Sequence, residues 1–443
     1  MSRRPSVGVV VPFLGTRADG EALVEAVGRL RTDPGDRIVV ADNTGAGVVV
    51  APAGSGVEVV PVPLERSSYY ARNAGAEAVD AAWLLFLDSD CRPTATLLDD
   101  YFEGGIDEGC GIVAGGVVGA PAQQGLAARY ARSRGQIEEG FHLDTGPHPS
   151  GVTANLLVRR AAWEGVGGFQ EGVRSGADLD FCWRAQDAGW GFLHRPSARV
   201  EHLHPERIRG MARKARRHAA GRAWVNRRYP GALPRPRVLV PLGRAGAGSA
   251  AWLVRGEPER ALFKLIDLAW AGSMLGGYLA GDNRAVRPSA AGRPEASDAV
   301  RVVVVADSFP ERGRSSAASA PGTLVEARAR AWAPDRGLAR RYSIRFAEDD
   351  GPLVRLRSLA WLLLSHPLSA ALDLMRRRAG AAGSPEGIVG LAPAARRVAA
   401  RGANGLVAAP DPGSAARAVR LARLLGLDVE PAGRAKGDGP NSR

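Results

Sequence analysis

Apolar residues in the first ninety positions come in short continuous runs rather than in alternation. VGVVVPF occupies 7–13, RIVVA 37–41, VEVVPV 57–62 and WLLFL 83–87. Runs this short, three of them rich in valine, read as strands buried on both faces. Helical spacing fills 20–31 and 69–82. The alternation predicts an α/β domain on a parallel sheet with right-handed crossovers, and ligands then sit beyond the carboxyl ends of the strands.

The pattern changes after 205. Residues 206–228 read as a helix carrying nine Arg or Lys. Such a run is either a solvated basic face or an attractor for an anionic membrane or a diphosphate-bearing substrate. Residues 256–280 read as an amphipathic to apolar helix or helix pair, packed on the core or lying on a membrane surface. Residues 281–300 have a linker composition. A strand follows at 301, then helical patterns at 321–332, 352–378, 391–401 and 413–426, which outline a second, smaller α/β domain. The tail 431–443 is polar and glycine-rich, the composition of a disordered end. No run reaches the ~18 apolar residues of a membrane span.

Composition narrows the function classes. A hydrophobic share of 45% over 443 residues provides for a sizeable core. The net charge of +13 favours anionic partners, although a high-GC genome would give the same arginine excess. No aromatic-rich strand motif or recognition-helix signature accompanies that charge, which argues against nucleic acid. Cys91, Cys110 and Cys182 are odd in number and widely spaced, so neither a disulfide framework nor a thiolate zinc site is expected, and a reducing cytoplasm fits.

Five short segments carry candidate chemistry. Asp88-Ser89-Asp90 follows WLLFL directly, where alternating carboxylates aim at a ligand. Beside a diphosphate they would hold Mg or Mn, as hard cations are held by one or two carboxylates plus phosphate oxygens. Asp42 ends the strand RIVVA and serves either a base or ribose, or an Asx-turn. Arg72 and Asn73 stand in a helical pattern, and are either a nucleotide contact and a loop brace or a surface arginine and a helix-bending asparagine. Asp178, Asp180 and Arg184 open an amphipathic helix, where a carboxylate is a helix cap or a general base. His202 and His204 share one side of a strand, and a metal role requires that strand to lie beside the Asp88-Ser89-Asp90 turn.

In their order, VVVPF, ADNTG, ARNAG, FLDSD, TANLLVRR, GGFQE, DLDFCWR and RPSARVEH resemble glycosyltransferase family 2, its actinobacterial members most of all, over residues 6 to about 230. The resemblance implies the GT-A fold, a Rossmann-like mixed sheet, and inverting transfer from a nucleoside-diphosphate sugar of UDP or dTDP type. The acceptor class is a glycan, a lipid-linked molecule or a small molecule. Carried over, Pro12 and Asp42 border the nucleotide, Arg72 lies near uracil or phosphate, and Asp88 contacts ribose or metal. Asp90 is the main metal ligand, His202 completes the site, and Asp178 is the base. Thr153 and Asn155 line the sugar pocket. Asp180, Trp183 and Arg184 support the base-bearing helix and the acceptor side. The family usually has Glu-Asp where this chain has Ala177-Asp178, which leaves room for a non-catalytic nucleotide-sugar-binding or scaffold protein. Residues 301–428 resemble the N-terminal half of a family 4, GT-B glycosyltransferase without its donor-binding half, so no transferase activity is expected there. Together these readings place the chain in the cytoplasm, with an anionic membrane surface as a further partner.

Overall fold

The computed structural model describes residues 4–136, 146–236, 248–286, 302–309, 324–332, 334–337, 342–378, 386–403, 405–409 and 411–431. The chain forms two compact units, Met1–Ser289 and Ala290–Arg443.

The first unit runs β1 (Val7–Phe13), α1 (Arg17–Gly28), β2 (Arg37–Asp42), β3 (Val57–Pro61), α2 (Ser68–Glu77) and β4 (Trp83–Leu87). Then come β5 (Cys91–Pro93), α3 (Leu97–Phe102), β6 (Cys110–Gly119), α4 (Leu126–Ser133), β7 (Asn155–Arg159) and α5 (Arg160–Gly165). It continues with α6 (Ala177–Asp187), β8 (Gly191–His202), α7 (Ile208–Arg228) and α8 (Pro258–Ala280). Every residue of β1 and β4 is buried, as their unbroken apolar runs require. Successive side chains go to opposite cores: Leu85 and Leu87 join one, Leu84 and Phe86 the other.

The eight strands lie in the order β3-β2-β1-β4-β7-β6-β8-β5. The first four are mutually parallel, as the sequence pattern predicts. Beyond them the sheet is mixed: β7 is antiparallel to β4 and β6, and β5 is antiparallel to β8. The fold is thus the mixed α/β sheet that the resemblance implies.

The two long helices predicted after 205 are present as α7 and α8, and they pack on each other. At the crossing, a Cβ on Gly277 would lie 2.2 Å from the Arg216 carbonyl, so only glycine fits. Phe263 and Ile266 of α8 pack against Tyr130 and Met211. The expected linker begins later than its composition suggested. Asn283 is fully buried, its Nδ2 donates to the Ser175 carbonyl at 2.8 Å, and Arg66 and Val173 pair with Val286 and Arg284. Small polar residues at 281–286 are thus backbone partners of the first unit. The remainder of the expected linker, from 287, and the expected tail from 432 lie outside the described residues.

The second unit has β9 (Val302–Phe309), β10 (Leu324–Arg330), β11 (Ser343–Phe346), α9 (Pro352–Ser365), α10 (Pro367–Arg378), α11 (Ile388–Ala400), β12 (Gly405–Ala408), α12 (Pro412–Leu425) and β13 (Asp428–Pro431). Its sheet, β11-β10-β9-β12-β13, is parallel throughout. One expectation fails here: LVEARAR, within the predicted helix 321–332, is strand β10. Glu and Arg favour helix, but both are buried in the sheet with partners. Glu326 bonds Arg397 at 2.7 and 2.8 Å, and Arg330 bonds Glu348 and Asp349 at 2.6 and 2.7 Å. The stretch 352–378 is two helices instead of one, broken before Pro367.

Candidate active site

Strand β4 delivers Asp88 and Asp90 to the carboxyl edge of the sheet, in the turn that leads into β5. Strand β5 then pairs with the end of β8, Cys91 opposite His202, and the Leu203 amide donates to the Asp90 carbonyl at 2.8 Å. That pairing brings a histidine 112 positions away onto the turn. One ligand atom each of Asp88, Asp90 and His202 lies within 4.8 Å of the others. His202 Nε2 stands 3.4 Å from Asp90 Oδ1, and its Nδ1 has no hydrogen-bond partner among the described residues. Two carboxylates and one imidazole form a donor set that suits Mg or Mn. The residues therefore fit the divalent cation that the sequence implied.

The electrostatics agree. Burial and the facing Asp88 carboxylate push Asp90 up to about 6. Burial would also raise Asp88, but the Arg72 guanidinium foremost, with the Lys214 and Arg217 charges, overrides it and holds Asp88 below the usual carboxylate range. Burial and the Lys214 ammonium bring His202 down to about 4, so it is a neutral ligand at physiological pH. Two acids that repel at close range, beside a neutral imidazole, are eased by a shared cation.

Helix α2 connects this group to the candidate base. Its Arg72 pairs with Asp88, and its guanidinium lies 5.4 Å from the centre of the Tyr69 ring. Tyr69, one turn earlier, donates its hydroxyl to Asp178 Oδ1 at 3.1 Å and accepts from the Gly176 amide at 3.1 Å. Burial and the Asp178 charge keep the Tyr69 hydroxyl protonated, as a donor must be. Asn73 braces the loop that leads to α6: its Nδ2 donates to the Phe169 carbonyl at 2.9 Å and its Oδ1 accepts from the Phe169 amide at 3.0 Å.

Asp178 sits in the first turn of α6, where the helix dipole favours a carboxylate. Gly176 before it has φ of 90°, and a Cβ there would come within 2.9 Å of Val225, so the turn into α6 requires glycine. Asp180 is fully buried and bonds Arg184 Nε at 2.8 Å, Arg228 Nε at 2.6 Å and the Tyr229 hydroxyl at 2.8 Å. Arg184 also bonds the Gly168 carbonyl at 2.7 Å, and Trp183 Nε1 donates to the His148 carbonyl at 2.8 Å. This knot fixes α6 to α7. Ala177 is fully buried in the apolar cluster that contains Phe181 and Trp224. The position where the family carries an acid is here part of the core.

The other expected residues are buried, and Asn155 stands opposite Leu87, the residue before Asp88. Asp42 is buried and accepts from Thr44 N at 2.9 Å, Thr44 Oγ1 at 2.6 Å and Val49 N at 3.3 Å, which builds its own loop. Pro12 is buried in β1 opposite Ala41. Thr153 is buried. Asn155 is fully buried and ties Tyr101, Gly116 and Ala198 together at 2.8, 2.9 and 2.8 Å, an architectural set of bonds.

Three site residues were not singled out from the sequence. Tyr69 lies within SSYYARNAG, three positions before Arg72, on the same helix face, and that spacing was the available signal. Lys214 and Arg217 belong to the basic run, whose i, i+3 pair faces the carboxylates while the run as a whole reads as surface. Burial lowers the Lys214 ammonium, and the Asp90 and Asp88 charges partly restore it.

Residues 83–280 match the family model described as Glycosyl transferase family group 2. The chain is 30% identical over 257 residues to a pre-mycofactocin glycosyltransferase of Mycobacterium tuberculosis, a match that spans 56% of this chain and 52% of that protein. It is also 30% identical over 205 residues to the glycosyltransferase AglE of Haloferax volcanii, with 44% of this chain and 66% of that one covered. Among solved structures, a mannosyltransferase from Pyrobaculum calidifontis in complex with GDP-Man and Mn2+ matches with TM-score 0.42 at 18% identity, covering 62% of this chain and 88% of that one. The chain thus spans about half the length of the mycobacterial relative.

Proposed function

We propose that the first unit, which carries a family 2 glycosyltransferase domain, transfers a sugar with inversion from a nucleoside-diphosphate sugar of UDP or dTDP type to a hydroxyl acceptor. The observation that carries this reading is the grouping of Asp88, Asp90 and His202, joined through α2 to the Tyr69–Asp178 pair. A divalent cation held by those three residues would neutralise the diphosphate as it leaves. Lys214 and Arg217 add fixed positive charge at the same place, and Arg72 holds Asp88 ionised. Asp178 takes the proton of the acceptor hydroxyl as that oxygen bonds the anomeric carbon. The bond from that carbon to the diphosphate oxygen breaks, and its electron pair leaves with the diphosphate. Tyr69 orients the carboxylate. The test is sugar transfer and donor hydrolysis by purified protein with Mn2+. Asp90→Ala and Asp178→Asn are expected to lose turnover while remaining folded, and full turnover in both would overturn the mechanism.

Ala177 favours one second reading, a non-catalytic nucleotide-sugar-binding or scaffold protein. Donor binding by calorimetry without turnover on a panel of glycan, lipid-linked and small-molecule acceptors would favour it. An anionic membrane surface belongs to the leading reading as a partner. In the basic run that suggested it, the charges of Lys214 and exposed Arg217 act on Asp88, and Arg209, Arg213 and Arg216 are exposed as well.

A further inference from the structure

Helices α9 and α10 of the second unit meet at a bend of 111°. In α10 the amphipathicity runs opposite to that of a core-facing helix, while α9 packs Leu359, Trp361 and Leu362 on the core and leaves other leucines exposed. In α10, Leu368, Leu372 and Met375 recur at i, i+4, i+7, the spacing of a single stripe, and are 79%, 51% and 66% exposed. The buried face of α10 carries Ala370 and Asp373. Asp373 receives two hydrogen bonds from Arg420 at 3.0 and 2.7 Å, which pins the helix to α12 with its apolar side outward. In α9, Leu356 and Leu364 are 62% and 83% exposed, while Ser358 and Leu362 face inward. At the bend, Leu364 and Leu368 form an apolar tip. Exposed Arg376, Arg377 and Arg378 end α10, and Arg357 is exposed on α9.

We infer that this helical hook is a docking surface for an anionic lipid bilayer, on which it lies without crossing. Apolar side chains on one exposed face with cations beside them are the pattern of helices that rest in the headgroup layer. The two helices have 14 and 12 residues, about 21 and 18 Å, short of the ~30 Å hydrocarbon core. Their inner faces are committed to the unit, and no single helix among the described residues is long and apolar enough to cross a membrane. The stripe is leucine and methionine instead of the tyrosine, tryptophan and arginine that anchor protein interfaces, which favours acyl chains over a folded partner. Segments 310–323, 379–385 and 432–443 carry no leucine, isoleucine, methionine, phenylalanine or tryptophan. None of them has a side chain suited to cover the stripe. A second copy would bring a second triple-arginine run into the same contact. This surface belongs to the second unit and does not depend on the assignment of the sugar-transfer residues in the first.

The experiment is flotation of the full chain with vesicles of phosphatidylcholine containing about one-third phosphatidylglycerol, and with phosphatidylcholine alone. Each arginine near an anionic surface strengthens partition about fivefold, so the mixed vesicles are expected to capture the protein and the neutral ones to capture little. Leu364→Asp/Leu368→Asp and Arg376→Glu/Arg378→Glu are each expected to weaken capture at least tenfold, with thermal unfolding unchanged because these side chains are exposed. Failure of the wild type to float at low salt would overturn the proposal. So would capture of both variants equal to that of the wild type. Loss of a wild-type dimer in the leucine variant, measured by light scattering without any vesicle binding, would assign the surface to a second copy instead.

Discussion

His202 Nε2 reaches Asp90 Oδ1, 3.4 Å away, because Cys91 pairs with His202 across β5 and β8. The backbone pairing, more than either side chain, sets the metal group. His202→Ala should therefore keep the fold and the β5–β8 pairing while weakening Mn2+ binding about tenfold or more. Calorimetric titration with Mn2+ checks this, and unchanged affinity would remove His202 from the ligand set.

The pH dependence follows from Asp90. Its carboxyl is raised to about 6 by burial and by Asp88, so in the metal-free protein the ionised form is the strained one. Stability contributed by this group is present when it is protonated and is lost as pH rises through about 6. A cation reverses the balance, since only the ionised carboxylate binds it. The thermal shift produced by Mn2+ should thus be full above about pH 7 and shrink as pH falls through 6, with affinity dropping about tenfold per unit below that. His202, already near 4, stays neutral across the window and adds no second step. A Mn2+ shift that is flat from neutral pH down to about 5 would contradict this.

Much of the first unit is legible in its sequence because local and tertiary preferences agree there. The four apolar runs are β1 to β4: β1, β4 and all of β2 but Arg37 are buried, and β3 is an edge strand with only Val57 fully inside. What the sequence does not display is pairing. Nothing local to Cys91 and His202 announces that β5 lies on β8, and nothing in the basic run separates the inward Lys214 from the exposed Arg213. Residues 324–330 show the opposite failure. Glu326 and Arg330 read as helix surface until Arg397, Glu348 and Asp349, remote in sequence, accept them into a sheet. Asn155 illustrates a third case: the side chain that the resemblance assigns to a sugar pocket is bonded to Tyr101, Gly116 and Ala198.

Tyr69→Phe removes the hydrogen bond donated to Asp178 and the one accepted from the Gly176 amide, and leaves the ring in place. A hydrogen bond to a charged group contributes about 1.5–3 kcal/mol. If the bond orients the base, turnover should fall about tenfold or more with little change in KM for the donor. Asp178→Asn should cost about a hundredfold or more. A purely structural Tyr69 would instead lower the melting temperature and leave turnover intact, so steady-state kinetics and thermal unfolding on the same sample decide between them.

Ala177→Glu restores the family's usual acid and should be harmful here. The position is fully buried among Phe181, Cys182 and Trp224, and an unpaired carboxylate placed there costs about 3 kcal/mol or more. A marked loss of melting temperature is expected, without any gain in transfer. Improved turnover at unchanged stability would show that the site has room for the acid and that its absence weakens the enzyme.

Asp180 and Asp178 lie two residues apart on α6, and the fold surrounds them differently: Asp178 meets Tyr69, and Asp180 meets two arginines and Tyr229. Asp180 is fully buried and bound by Arg184, Arg228 and Tyr229. Burial opposes its charge, and the Arg184 and Arg228 guanidiniums override that and hold the carboxyl below its ordinary range. Removing one partner of such a group strands the others, a loss of about 3–5 kcal/mol. Asp180→Ala should therefore unfold at much lower temperature, and because the carboxyl is held below its ordinary value, the wild-type advantage should fade only as pH falls through the acid range. Asp178→Asn should melt close to wild type and lose turnover. Denaturant unfolding of both variants beside the wild type separates the two roles, and an Asp180→Ala protein as stable as the wild type would show that α6 is held to α7 by its apolar contacts alone.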